Sequence, residues 1–191
     1  MKFTTTLLIL FATVALPSST QSATSAAYQS MERKLDVIVS NGASTNVRPI
    51  STEITAEEAN AWVSEGGVRL PPGVSDVRFS SQPAVITTDC RIDFDKLTAG
   101  AKSSNPFLAL FTGVHDVNVV AQASAAQGVG HVRVESMSID GVTVPRAAME
   151  FFVNRYLKPK YPDVGLDTKF RMPSRIDVAV VGKNKATVTQ R

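Results

Sequence analysis

Residues 137–190 leave few folds open to this chain. They read as a strand, a tight turn, an apolar helix, an extended proline-containing crossing and a closing β-hairpin. Asp140-Gly141 supplies the positive-φ residues that a tight turn needs. Pro145 fits a first helical position, because its missing N–H would find no partner there anyway. The spacing predicts a helix over 146–157 with Ala148, Met149, Phe152, Val153 and Tyr156 on one face. So apolar a helix needs an apolar partner, and strands flank it in sequence on both sides. The expectation is an α+β fold in which this amphipathic helix lies against an antiparallel sheet, an arrangement suited to binding.

Two helices are predicted before the strands begin. The first covers 26–40 and ends near Asn41-Gly42, with 46–51 as a polar connection. The second covers 56–65, opened by a capping box in which Thr55 and Glu58 each satisfy a backbone N–H of the other's turn, and closed by Gly66-Gly67. Alternation then predicts strands over 74–80, 85–94, 114–125 and 129–139, with a turn at Gln127-Gly128, and a helical turn at 95–99. A phase change near Ser136-Met137 marks a bulge. The last hairpin joins 176–181 to 186–190.

The first residues carry a basic start at Lys2, a ten-residue apolar run over 7–16, and small residues through Ala27. This is the pattern of a cleaved signal peptide, here assigned to 1–26; the run is too short to span ~30 Å of hydrocarbon. The expectation is export to a periplasmic or extracellular location, and solubility after cleavage. Residues 27–191 are about 165 in number, the size of a single domain. One cysteine excludes an intramolecular disulfide framework. Cys90 falls in phase with Ile86, Thr88, Ile92 and Phe94 and is read as a buried small hydrophobe rather than a free reactive thiol.

Charge is uneven. Residues 142–191 hold ten basic and four acidic side chains, a balance of +6, whereas 27–141 hold nine and thirteen, a balance of −4. The basic third is compatible with an anionic membrane surface, or simply with a solvated face. Arg155, Lys158 and Lys160 form its densest group. Export, few aromatics and the lack of a recognised motif count against nucleic acid as a partner.

Catalytic constellations are missing. If the hairpin turns at Gln127-Gly128, His131 faces Ser124 or Ala125 while His115 faces Asp140 or Gly141, so the two histidines do not share a metal ion. No Gly-x-Ser-x-Gly elbow occurs. Asp93 and Asp95 fall short of a calcium site and read as a solvated strand end. Gly128-Val129-Gly130 is a hairpin turn, since no helix follows it. No cofactor, metal site or enzyme is expected.

The segment "VRVESMSIDGVTVPRAAMEFFVNRYL…VGLDTKFRMPSRIDVAVVG" resembles the C-terminal half of the LmeA-like phospholipid-binding group of exported bacterial envelope proteins. The resemblance runs through Gly141-Val142-Thr143-Val144-Pro145, the apolar helix, then Leu166-Asp167, Phe170, Pro173 and Ile176. The upstream helix from Thr55 to Trp62 and the strand end at Asp93–Leu97 fit the same pattern, so that it spans roughly 54–190. It implies a curved antiparallel sheet wrapped around a helix, like a tubular lipid-binding domain, with lipid held between the two. It brings no catalytic residues.

The site expected is therefore non-enzymatic and takes a lipid or other hydrophobic small molecule. Met149, Phe151, Phe152 and Tyr156 would line it. So would Ala121 and Ala123, whose small side chains leave room on the sheet face for a ligand or for a closely packed helix. Arg155 and Lys158 would lie near a headgroup. Phe107 and Phe111 bound an apolar run that is either a buried strand end or a rim at a cavity mouth. The alternative function is an envelope interaction module with a filled core and a protein partner at the basic end.

Overall fold

The computed structural model describes residues 24–97, 111–159 and 162–191. Helix α1, Ala26–Ala43, starts at Ser25, whose hydroxyl accepts from the Tyr28 N–H at 3.1 Å. It buries Met31 and Ile38, two turns apart. Strand β1, Ile50–Thr55, follows; it begins inside the polar connection expected over 46–51 and runs through 52–54, for which no element is expected. Helix α2, Ala56–Ser64, opens on the anticipated capping box: Thr55 Oγ1 accepts from the Glu58 N–H at 3.2 Å, and Glu58 Oε2 accepts from the Thr55 N–H at 2.9 Å.

Strands β2, Val74–Gln82, and β3, Val85–Asp93, form a hairpin, and the short helix α3, Phe94–Leu97, ends it. Strands β4, Val114–Ala126, and β5, Val129–Ile139, form the long central hairpin. Gln127 and Gly128 turn it at φ 53° and 72°, and Asp140 and Gly141 turn β5 into the short strand β6, Val142–Thr143, at φ 47° and 80°. Both turns thus place two successive residues in the left-handed region that tight hairpins require. The β4–β5 register changes between Val120↔Ser136 and Ala121↔Val134, leaving Glu135 as the extra residue. The bulge therefore lies one residue before the expected phase change, and it keeps Val132, Val134, Met137 and Ile139 on one face.

Helix α4, Arg146–Phe152, runs directly into a π-helical turn, Val153–Leu157, rather than continuing as one α-helix. Strand β7, Asp167–Arg171, pairs with β5 where only an extended crossing was expected. Strands β8, Ile176–Gly182, and β9, Lys185–Gln190, close the chain as anticipated.

All pairings are antiparallel. The sheet runs β1-β9-β8-β4-β3-β2, with β5 on β4 and both β6 and β7 on β5, and its six-strand path curls strongly into a half-barrel. Strand β8 meets β4 only at Ala125↔Ala179, where the β2–β3 hairpin has ended and Ala84 hands its N–H to the Val181 carbonyl. The fold class is α+β, with the curved antiparallel sheet wrapped around the amphipathic helix and helices preceding it. The main core is where α4 meets β3, β4 and β5: Val117 and Ile139 from the sheet against Ala148, Met149, Phe152 and Tyr156, with Phe94 and Phe111 at one end. At the other end of the same face, α2 covers Ile86 and Val181. Gln190 pins α1 over this end, donating from Nε2 to the carbonyls of Ile38 at 2.7 Å and Ser174 at 2.6 Å.

Candidate functional site

The buried residues of α4 and its π-turn are Ala148, Met149, Phe152, Val153 and Tyr156, the face expected from the spacing. Their position follows from Pro145, which is the N-cap rather than the first helical residue and whose carbonyl accepts from the Ala148 and Met149 N–H at 2.9 and 3.1 Å, and from β6, which delivers the chain to it. Phe152 is the hub. Its ring centroid lies 4.4 Å from stacked Phe111, 5.7 Å edge-on to Phe94 and 5.4 Å from Tyr156. Phe94 and Phe111 meet edge-on at 5.4 Å. Such edge-on and offset contacts suit the quadrupoles of the rings.

Beside this cluster lies a cavity of about 230 Å³. Ile92, Val117, Val119, Val134 and Met137 form its sheet wall. Met149, Phe152, Val153 and Leu157 form its helix wall, and residues 164–166 close one side. None of the described residues lining it has a polar side chain. A second cavity, of about 170 Å³, lies under α2 between Ala59, Phe79, Ile86 and Val181.

Of the residues nominated from sequence, Met149, Phe152 and Phe111 line the larger cavity and Tyr156 packs against its aromatic wall. Ala121 and Ala123 lie on the same sheet face as Val119 but line neither cavity; both are half-buried. Phe151 sits next to the buried Phe152 but off the apolar face, lines neither cavity and is 37% exposed. Arg155 and Lys158 are exposed at the helix end, where the Arg155 guanidinium lies 5.9 Å from the Tyr156 ring centroid. Phe107 lies outside the described residues, as does the signal-peptide run. Val119, Val134, Met137, Val153 and Leu157 were not nominated, although period-two and helical spacing mark each as inward. For Ile92, Val164 and Leu166 the sequence carries no sign that they meet.

Polar groups elsewhere are committed to structure. Cys90 is half-buried on the core face, where burial and then the nearby Asp89 carboxylate push its thiol up from the ordinary value. Asp93 caps α3, accepting from the Lys96 N–H at 3.0 Å and pairing with its Nζ at 3.0 Å. Those hydrogen bonds hold its carboxyl below the usual range. Asp95 lies in α3 itself. The histidines take the expected places at opposite ends of the β4–β5 ladder. His131 pairs with Ser124 in register and contacts Asp167 at 2.7 Å, and His115 contacts Asp140 at 2.6 Å. The bond from His131 lowers the Asp167 pKa. Among the described residues no three His, Cys, Asp or Glu side chains gather to hold a metal ion, and no helix is long and apolar enough to cross a membrane. Compared with protein-family models, curated proteins and solved structures, the chain matches none.

Proposed function

We propose that this is an exported, non-enzymatic protein that binds a lipid or another hydrophobic molecule between α4 and the curled sheet. The observation that carries the reading is the cavity of about 230 Å³ between those two walls, whose described lining residues are all apolar. Apolar enclosures of this kind recognise hydrocarbon, because removing apolar surface from water drives binding without directional contacts. The resemblance to the LmeA-like phospholipid-binding group supports the same placement of ligand, between helix and sheet. The leader-like residues 1–26 support export to the cell envelope. The basic third of the chain, with Arg155 and Lys158 exposed beside the helix wall, supports contact with an anionic membrane surface.

Native mass spectrometry of protein purified from an envelope fraction, before and after solvent extraction, tests the reading. A reproducible adduct of lipid mass, lost on extraction, is the expected result. A bare polypeptide mass, with no uptake from added phospholipid or fatty acid, would overturn it. The function would then move to an envelope interaction module, and the exposed basic face would become the place to seek a protein partner.

A further inference from the structure

The volume and chemistry of the cavity limit what it can hold. Liquid water occupies about 30 Å³ per molecule, so 230 Å³ accommodates roughly eight heavy atoms. That is below the ~300–1,000 Å³ usual for sites that enclose a whole small molecule. It matches one short stretch of alkyl chain. The cavity under α2 shares no described lining residue with it, and the half-buried Ala121 and Ala123 lie on the sheet face without lining either cavity. Among the described residues, then, the two cavities do not join into one space for a second chain of the same ligand.

The described residues of the wall also lack the means to read a headgroup. With no polar side chain among its described residues, the cavity offers hydrocarbon contact alone. A carboxylate or phosphate inside it would lose its hydration with nothing in return. The polar end of any ligand must stay outside. Val164, which lines the cavity and is nevertheless 39% exposed, marks a side open to solvent.

The helix wall has an unusual backbone at the same place. Between Val153 and Leu157 the α-helix gives way to a π-turn, closed by the Lys158 N–H donating to the Val153 carbonyl at 2.9 Å. Both Val153 and Leu157 line the cavity. Such turns are rare overall and often sit at functional sites, although this one ends the helix rather than interrupting it. This one carries its wider turn directly against the cavity.

Resting on the ligand-binding reading above, we infer that the site takes one alkyl chain, enclosing about eight carbons of it, and that it selects by chain and not by headgroup. The ligand class is a single-chain amphiphile, a fatty acid or a lysolipid, rather than a diacyl lipid held by both tails.

Isothermal calorimetry on the purified protein tests this with alkyl carboxylates and uncharged alkyl glycosides of graded length, each below its micellar concentration. Affinity should rise about fourfold with each methylene, as burial of a CH₂ predicts, and level off near eight carbons. Carboxylate and glycoside of equal length should agree within about threefold. A lysophospholipid should bind at least as tightly as the diacyl phospholipid with the same chains. Affinity that keeps climbing past about twelve carbons, a clear diacyl preference, or a strong headgroup preference would each overturn this inference while leaving ligand binding intact. No heat and no native-mass adduct with any of the compounds would overturn both.

Discussion

Lys34 on α1 reaches Glu58 on α2 at 2.6 Å, and the carboxylate it meets is the same one that folds back to cap α2. Ser30 adds a third hydrogen bond at 2.6 Å. One buried carboxylate thus starts a helix and fixes its neighbour. Burial pushes the Glu58 pKa up, but the bonds from Lys34, Ser30 and the Thr55 amide outweigh it and leave the group at about 2. The folded value lies below the ordinary value of 4.5. The contribution to stability is therefore complete above that pH and is lost as pH falls towards 2. Urea unfolding should show stability dropping through that window. Glu58→Gln should lower stability at neutral pH by roughly 2–3 kcal/mol and remove this part of the acid dependence; an unchanged acid limb would contradict the assignment.

His115 is expected to titrate above its ordinary value. Its Nδ1 lies 2.6 Å from the Asp140 carboxylate and its Nε2 lies 2.7 Å from the Thr112 carbonyl oxygen. Both partners only accept, so the doubly protonated ring satisfies both. The bond to Asp140 is the main cause of the raised pKa. The stabilisation is complete below the ordinary 6.5 and disappears as pH rises through the higher folded value. Proton NMR of the imidazole checks the direction. Asp140→Asn, which tolerates the positive φ of this turn, should return the titration towards 6.5.

Gly42 makes a case in which helix propensity gives the wrong sign. Alanine inside a helix is favoured over glycine by about 1 kcal/mol. A Cβ at Gly42 would however stand 2.4 Å from the Ser174 carbonyl oxygen and 2.7 Å from its Cα, all backbone. Gly42→Ala should therefore destabilise the protein, by roughly 1–3 kcal/mol, in equilibrium unfolding. A gain in stability would mean that α1 can lift away from residue 174 at little cost.

Adjacent phenylalanines should behave oppositely. Phe152→Ala removes the ring at the centre of the aromatic cluster and should cost roughly 3–5 kcal/mol. Phe151→Ala, one residue away and partly exposed, should change stability by no more than about 0.5 kcal/mol. Chemical denaturation of the two variants side by side separates the helix faces directly.

Much of the fold is legible because it rests on local chemistry. The capping box needs only Thr55 and Glu58, and the hairpin turns need only Gln127-Gly128 and Asp140-Gly141. From the first of these turns the opposition of His131 and Ser124 follows by counting. Strands β1 and β7 escaped because their stabilisation is remote. Ile50, Thr52 and Ile54 alternate, but they become a strand by pairing with residues 186–190, and the five residues of β7 depend on β5. The π-turn likewise has no sequence sign, since residues 146–157 keep one helical spacing throughout. The site was half legible for the same reason. Helical spacing exposed the Met149–Phe152–Tyr156 wall, whereas its closure by Ile92, Val164 and Leu166 is set by the curl of the sheet. Phe151 entered the expectation for being aromatic, although its place off the apolar face argued otherwise.

The pairing of β1 with β9 sets the order of events in the life of the molecule. Ile50 sits opposite Gln190, and the amide of Gln190 is a second tie on α1 besides Glu58, joining the Ile38 carbonyl to that of Ser174. Among the described residues the first strand pairs with no other strand, so it waits for residues 185–190. Residues 185–190 thus act as the fastener for residues 50–55, so a nick slightly upstream of them frees a strand more than a hundred residues away.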